Sequence, residues 1–241
     1  MTCLPPAGTA SAPRRPQAHY RDLFWDRITD IAPRGVLDVG CGDGALVRRL
    51  IEAGIDTVGL EPAADALARL KAAGIPARQG VAETLPFDDN AVDLVVSAFT
   101  AHHLADLDAA MAEALRVGAL GVAVLDQWYD PSIPSQRVAR RFDDWCKAID
   151  RATGMVHGPA PTAGDLIAAL GPAAEQLDIA VETHVLLTPL PRQRVEDIAT
   201  AAFPRVPSSA DRRAELAAIL SDADRDGITD DGAIILTALK R

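Results

Sequence analysis

The sequence predicts a doubly wound, mostly parallel α/β sheet, and three observations predict it. Short apolar strands alternate with amphipathic helices from residue 18 to about residue 127. The strand Val92 to Ala98 is apolar on both faces, as a strand buried between two helix layers must be. A glycine-rich turn, Gly40-Cys41-Gly42-Asp43-Gly44, joins the first strand to the helix after it.

Each element has its own signal. Residues 1–17 hold four prolines and several small residues and read as a flexible tail. Tyr20, Phe24, Ile28 and Ile31 recur at helical spacing from Ala18 until Pro33-Arg34-Gly35 breaks the pattern. Strands are expected at Val36–Val39, Thr57–Leu60, Ala77–Gln79, Val92–Ala98 and Val122–Leu125. Helices are expected at Ala45–Ala53, Ala63–Ala73 and Leu107–Val117, and Gly54 and Gly74 stop the first two. Beyond residue 127 the alternation changes. Gln136–Arg151 carries Val138, Phe142, Trp145 and Ile149 on one stripe and reads as a helical cap after the fifth strand. A loop over Gly154–Gly164, a short helix at Gly164–Leu170, a strand at Ile179–Leu187, a helix at Ala210–Asp222 and a strand at Ala233–Leu239 complete the chain. The domain runs from 18 to 241, with 128–176 as the cap and substrate-binding insertion.

Composition narrows the function. With 24 Lys+Arg against 34 Asp+Glu the net charge is −10, which argues against a broad phosphate-binding face for nucleic acid. Arg137, Arg140 and Arg141 are interleaved with Asp143 and Asp144. The three cysteines, Cys3, Cys41 and Cys146, form no C-x-x-C, so neither a disulfide framework nor a cysteine zinc site is indicated, and no metal is expected. The longest stretch without an ionisable side chain, residues 1–13, is too short and too rich in proline to span a membrane. No basic segment or apolar run precedes Ala10-Ser11-Ala12, so a signal peptide is rejected and a cytoplasmic location is expected. Asp222-x-Asp224-x-Asp226-Gly227 opens like an EF-hand loop, but the twelfth position is Ala233 where calcium needs a bidentate Glu, so it reads as an acidic turn.

The glycine turn points to a nucleoside-containing cofactor. Glycines allow a tight turn and close approach of a ligand, and the helix that follows offers free N–H groups. Glu61, 23 residues after Asp38, stands where such a fold sets an acid against ribose hydroxyls. Gly40-x-Gly42-x-x-Ala45 also satisfies the dinucleotide fingerprint, so NAD and an oxidoreductase stay open on the glycines. Asp38 and Asp43 would repel a pyrophosphate and would tolerate the ammonium and sulfonium of S-adenosylmethionine.

The segments VLDVGCGDG (36–44), VGLEP (58–62), RQGVAETLPFDDNAVDLVVS (78–97), HHLAD (102–106) and LRVGALG (115–121) together resemble the class I S-adenosylmethionine-dependent methyltransferases. Within that family they are similar to the small-molecule branch of ubiquinone/menaquinone C-methyltransferases and sugar O-methyltransferases. The resemblance implies a Rossmann-like seven-stranded sheet whose last strand, at Ile234–Leu239, runs antiparallel. It also implies S-adenosyl-L-methionine as cofactor and S-adenosyl-L-homocysteine as product. Position by position, Gly40, Cys41, Gly42 and Gly44 would meet the methionine end with support from Asp38. Glu61 would take the ribose and Pro62 the adenine pocket. Val81, Ala82 and Glu83 would follow the adenine edge, with Ser97 at the amino end and Tyr20 closing over it. Val81 stands where the family usually has an acid, so the adenine amino group must turn to a backbone carbonyl, Glu83 or water.

Methyl transfer is an in-line displacement, in which the enzyme aligns the nucleophile and excludes water. His102 and His103 follow the fourth strand and Asp126 ends the fifth, on the edge where such folds bind ligands. A His–Asp pair there resembles the base of the sugar O-methyltransferases. An acceptor that is already nucleophilic needs no base. Trp128, Tyr129 and Trp145 are candidates for an aromatic substrate wall, and His157 for a loop residue reaching the substrate. The expected partner is a small-molecule acceptor, with neither nucleic acid nor membrane. A protein that binds the cofactor without turnover is the non-catalytic alternative.

Overall fold

The computed structural model describes residues 16–202 and 210–241. Most of the expected tail, residues 1–15 with Cys3, lies outside the described residues, and its last two positions, Pro16 and Gln17, already belong to the first helix. In chain order the elements are α1 (Pro16–Ile31), β1 (Gly35–Val39), α2 (Ala45–Glu52), β2 (Asp56–Glu61), α3 (Ala64–Ala72), β3 (Ala77–Gln79) and β4 (Val92–Ala98). They continue as α4 (Leu107–Val117), β5 (Gly118–Trp128), α5 (Pro134–Ala152), α6 (Ala163–Ala169), β6 (Leu177–His184), α7 (Arg192–Ala202), α8 (Ala210–Asp226) and β7 (Gly232–Lys240).

The seven strands form one sheet in the order β3-β2-β1-β4-β5-β7-β6. β1 pairs in parallel with β2 on one side and β4 on the other, Val39 lying opposite Leu60 and Ser97. The order therefore turns back between β1 and β4, and the crevice beyond their carboxyl ends is the place where an open α/β sheet receives ligands. β7 is inserted between β5 and β6 and runs against β5. Gly121 approaches Ala238 and Leu239, while seven residues later Trp128 approaches Gly232.

β5 begins four residues before the expected Val122 because its first turn is a bulge, with the register to β4 shifting between Val92 and Leu94. Gly121 is required here by the close approach of β7. A Cβ on Gly121 would stand 2.1 Å from the Ala238 carbonyl oxygen, and its φ is +138°.

The chain divides into two compact units. The sheet unit holds Tyr20–Asp126, Pro161–Thr183 and Ile234–Arg241. Its core strands bury Val36, Leu37, Leu94, Val96, Ala123 and Leu125, and α2 buries Val47 and Leu50. The helical unit holds the described residues 16–19, Gln127–Ala160 and His184–Ala233. These bounds differ from the expected insertion at 128–176: α6, opened by a reciprocal Thr162–Asp165 capping box, belongs to the sheet unit, and α7 and α8 belong with α5. The α5 stripe is as predicted, with Val138, Phe142, Trp145 and Ile149 buried beside Val195, Ala199 and Ile219.

Other boundaries moved as well. β6 ends at His184 rather than at residue 187, and Leu187 takes a φ of +41° that no strand accommodates. α8 continues through the acidic segment to Asp226, so that segment is the end of a helix rather than a turn. Asp222 pairs there with Arg141 and Arg225, and Asp224 with Arg192. Among the described residues no helix is long and apolar enough to cross a membrane.

Candidate functional site

The site in the sheet unit starts where β1 and β2 end. The N–H groups of Gly40 and Cys41 both donate to the Leu60 carbonyl, at 2.9 and 3.1 Å, and tie the glycine turn to the second strand. Gly40 has a φ of +71°, and a Cβ on it would lie 2.4 Å from the Thr100 side chain, so the turn is wedged against the chain leaving β4. Gly42, at φ +58°, is the opposite case. The nearest atom to a Cβ there is 3.9 Å away, so this face of the turn is open. The buried Glu61 accepts from the Gly42 N–H at 3.1 Å on one oxygen and from the Ala63 N–H at 3.0 Å on the other. Each carboxylate oxygen has a second lone pair, so this anchoring leaves Glu61 able to accept from two neighbouring hydroxyls.

Asp38, 2 % exposed, is the last residue but one of β1, beneath the turn. Burial pushes its carboxyl up to about 7; the Arg21 guanidinium opposes that rise, and the charges of Asp43 and Glu61 add to it. Three carboxylates around one glycine turn suit a positively charged ligand group. The Cys41 side chain is buried, so its backbone alone is placed to meet a ligand at the turn. Its thiol is turned into an apolar cluster with Val47, Leu70 and Ile75 and is pushed up to about 12 by burial, with Asp38 and Glu61 adding to the rise. Gly59 leaves the room for it, since a Cβ there would sit 2.4 Å from the Cys41 sulfur.

The expected adenine side is mixed. Pro62 is exposed and its carbonyl accepts from Gln79. Val81 is 49 % exposed and Ala82 is buried. The Glu83 carboxylate accepts from the N–H groups of Ala105 and Asp106, at 2.9 and 3.4 Å, so it braces the segment after His103 and is already engaged. Ser97 is half-buried beside Val39, and Tyr20 is wholly buried in α1.

β4 delivers the histidines through a strained step. Phe99 has a φ of +57° and donates its N–H to the Leu125 carbonyl at 2.7 Å. A single 3-10 turn, Ala101–His103, then points His102 at the end of β5. Asp126 accepts from the His102 backbone N–H at 3.2 Å and meets the ring Nδ1 at 2.5 Å, with both side chains buried. With Nδ1–H donating to the Asp126 carboxylate, Nε2 is the ring nitrogen left with a lone pair. The half-buried His103 ring lies 4.2 Å from that of His102, centroid to centroid. The structure thus brings His102, His103 and Asp126 together, as their places at the sheet edge predicted.

A family model described as a methyltransferase domain matches residues 37–124, which run from β1 into β5. An uncharacterised methyltransferase of Mycobacterium sp. strain KMS is 30% identical over 177 residues, covering 70% of this chain and 70% of that protein. The chain belongs to the methyltransferase domain family. An uncharacterised methyltransferase of Mycobacterium bovis is 42% identical over 126 residues, 48% of this chain and 51% of that one, so the chain spans about half the length of this relative. Among solved structures, the YcgJ protein of Bacillus subtilis superposes with a TM-score of 0.63 at 21% identity, over 92% of this chain and 99% of that one, a likeness of fold.

In the helical unit of this methyltransferase-family chain, the expected substrate residues separate. Trp145 is 1 % exposed, stacks on Phe142 and donates its indole N–H to the Arg212 carbonyl at 3.0 Å, which makes it a core residue rather than a substrate wall. Tyr129 is buried in the same apolar cluster, and burial, with Asp143 and Asp231 near it, raises its phenol well above the usual value. Trp128 is half-buried at the end of β5. His157 does lie in a loop, but it is buried and tied to its own unit. Its Nδ1 lies 2.8 Å from Asp150 and its carbonyl accepts from Arg151 at 2.6 Å.

The sequence reading also missed a buried chain of polar groups. Lys147, 1 % exposed, meets Asp143 at 2.7 Å and donates to Gln127 at 2.9 Å, and Gln127 donates to Asp231 at 3.0 Å. Charged residues spaced four apart on a helix look solvated in a sequence, which is why this network and Asp150 gave no signal.

Proposed function

We propose that this protein transfers a methyl group from S-adenosylmethionine to a small-molecule acceptor. The observation that carries the reading is the open Gly42 face held between Glu61 and the acidic end of β1. The residues present fit that cofactor: Glu61 for the ribose, the Gly40–Gly44 turn for the methionine end and Asp38 for its cationic portion. When bound, the cofactor supplies an electrophilic methyl group on a sulfonium. NAD fits less well, because Asp38 and Asp43 would face its pyrophosphate.

For a hydroxyl acceptor, His102 takes the proton on Nε2, and Asp126 holds the ring in the required tautomer and supports the imidazolium. His103, half-buried beside it, is the second candidate. Trp128 is the remaining candidate for contact with the acceptor, and the resemblance to the ubiquinone and sugar methyltransferases points to a small molecule.

Calorimetric titration of stripped protein tests the first step: S-adenosylmethionine binds with micromolar affinity and NAD does not. Glu61→Ala and Gly42→Val abolish that binding. A Cβ at Gly42 fills the open face, and φ +58° costs a β-branched residue about 1–2 kcal/mol. Formation of S-adenosylhomocysteine with a panel of acceptors then separates an enzyme from a protein that only binds. With a hydroxyl acceptor, His102→Ala spares binding and lowers kcat about 10²- to 10⁴-fold. Unchanged kcat in both His102→Ala and His103→Ala excludes base catalysis by either residue.

A further inference from the structure

The turn that carries the histidines has little of its own to hold it in place. It is a single 3-10 turn, Ala101–His103, in which the His103 N–H donates to the Thr100 carbonyl at 2.8 Å and the Leu104 N–H to the Ala101 carbonyl at 3.2 Å. Turns of this kind are short and their hydrogen bonds are poorly aligned. The bond from Phe99 to Leu125 fixes its entry, and Asp126 fixes its centre. Its exit is extended at Leu104 and leads to Asp106, the N-cap of α4, whose side chain accepts from Ala109. The N–H groups of Ala105 and Asp106 at that exit belong to neither helix nor strand, and both donate to one oxygen of Glu83, Oε1. A charged acceptor strengthens such bonds, and the N-terminal end of α4 favours a negative charge beside it.

Glu83 is itself anchored, so it acts as a bracket rather than a loose end. Val81 and Thr84 are bridged, and the Leu85 N–H donates to Glu113 of α4 at 2.7 Å. Arg116 of α4 donates to the carbonyls of Leu85 and Phe87 and pairs with Glu113. The segment 81–87 is thus strapped to the C-terminal half of α4, while Glu83 reaches the residues that open the same helix. We infer that Glu83 is a positioning residue: by clamping the exit of the histidine turn to this strap, it sets how His102 meets Asp126. The inference rests on the base reading above and gives Glu83 a role in the reaction other than contact with adenine. An amide oxygen in the same place can accept the same two bonds, and a methyl group cannot.

The test reads the contact between His102 and Asp126 separately from turnover. A proton held between the ring Nδ1 and a carboxylate 2.5 Å away gives a far-downfield proton resonance, assigned by its disappearance in His102→Gln. In Glu83→Ala, with the fold checked by the melting temperature, that resonance broadens or is lost. There kcat with a hydroxyl acceptor falls about 10- to 100-fold, while affinity for S-adenosylhomocysteine changes by less than about threefold. Glu83→Gln keeps the resonance and recovers kcat to within about threefold of wild type. A resonance unchanged in Glu83→Ala, or a Glu83→Gln variant no better than Glu83→Ala, overturns the assignment. So does a loss confined to ligand affinity, which makes Glu83 a cofactor contact instead. Loss of the resonance in Glu83→Ala together with unchanged kcat in His102→Ala overturns the base reading alone and leaves the clamp on the pair standing.

Discussion

Asp38 couples the site to pH through its burial. A folded-state value of about 7, against 3.8 for the free carboxyl, means that the native protein holds a proton on Asp38 that the unfolded chain has already lost above pH 4. The contribution of this residue to stability is therefore present below about pH 4, falls as pH rises and is lost by about pH 7. Asp38→Asn removes that slope, so subtracting the variant's pH–stability curve from the wild-type curve isolates it in urea titrations. Binding has the opposite sign. A cationic ligand group favours the ionised carboxylate, so affinity for S-adenosylmethionine increases from pH 6 to pH 8 and flattens in Asp38→Asn. A pH-independent affinity in wild type would separate Asp38 from the ligand.

Contacts between elements explain both what was legible in the chain and what was not. The strand-to-helix glycine turn, the acid ending β2 and the histidine pair after β4 were legible because they are local: each is a residue type at a fixed offset from an apolar strand. Four other features are tertiary. The start of β5 depends on a bulge against β4, and the burial of the Cys41 thiol depends on space left by Gly59. Helix α7 fully buries Val195, Ala199 and Ala202 and packs Ile198 beside them, a stripe too short and too rich in alanine for periodicity to separate from loop. The burial of Lys147 needs partners from β5 and from the segment before β7.

The Cys41–Gly59 contact makes a prediction between β1's turn and β2. Gly59→Ala places a methyl group 2.4 Å from the Cys41 sulfur and destabilises the protein by about 1–3 kcal/mol. Adding Cys41→Ala recovers part of that loss, not all, because the Cys41 Cβ and Val47 also lie within 3.3 Å of the new methyl. Chemical denaturation of the two single variants and the double variant gives the coupling, and strict additivity would rule the contact out.

At the scale of the whole molecule, the charge of −10 acts on the ligand before any contact forms. S-adenosylmethionine carries a sulfonium, an ammonium and a carboxylate, a net single positive charge, whereas S-adenosylhomocysteine is a neutral zwitterion. Their shapes are nearly the same, so the two differ in how they experience the field of an acidic protein. Salt shortens that field, to a Debye length of about 10 Å at 0.1 M and about 3 Å at 1 M. Stopped-flow association of S-adenosylmethionine should therefore slow as salt rises over that range, while association of S-adenosylhomocysteine stays nearly constant. On the function proposed above, the same field disfavours retention of product relative to cofactor, because the positive charge is lost when the methyl group leaves. Equal salt dependence for the two ligands would mean that attraction is confined to the site, among Asp38, Asp43 and Glu61, and that the remaining acidic surface serves solubility alone.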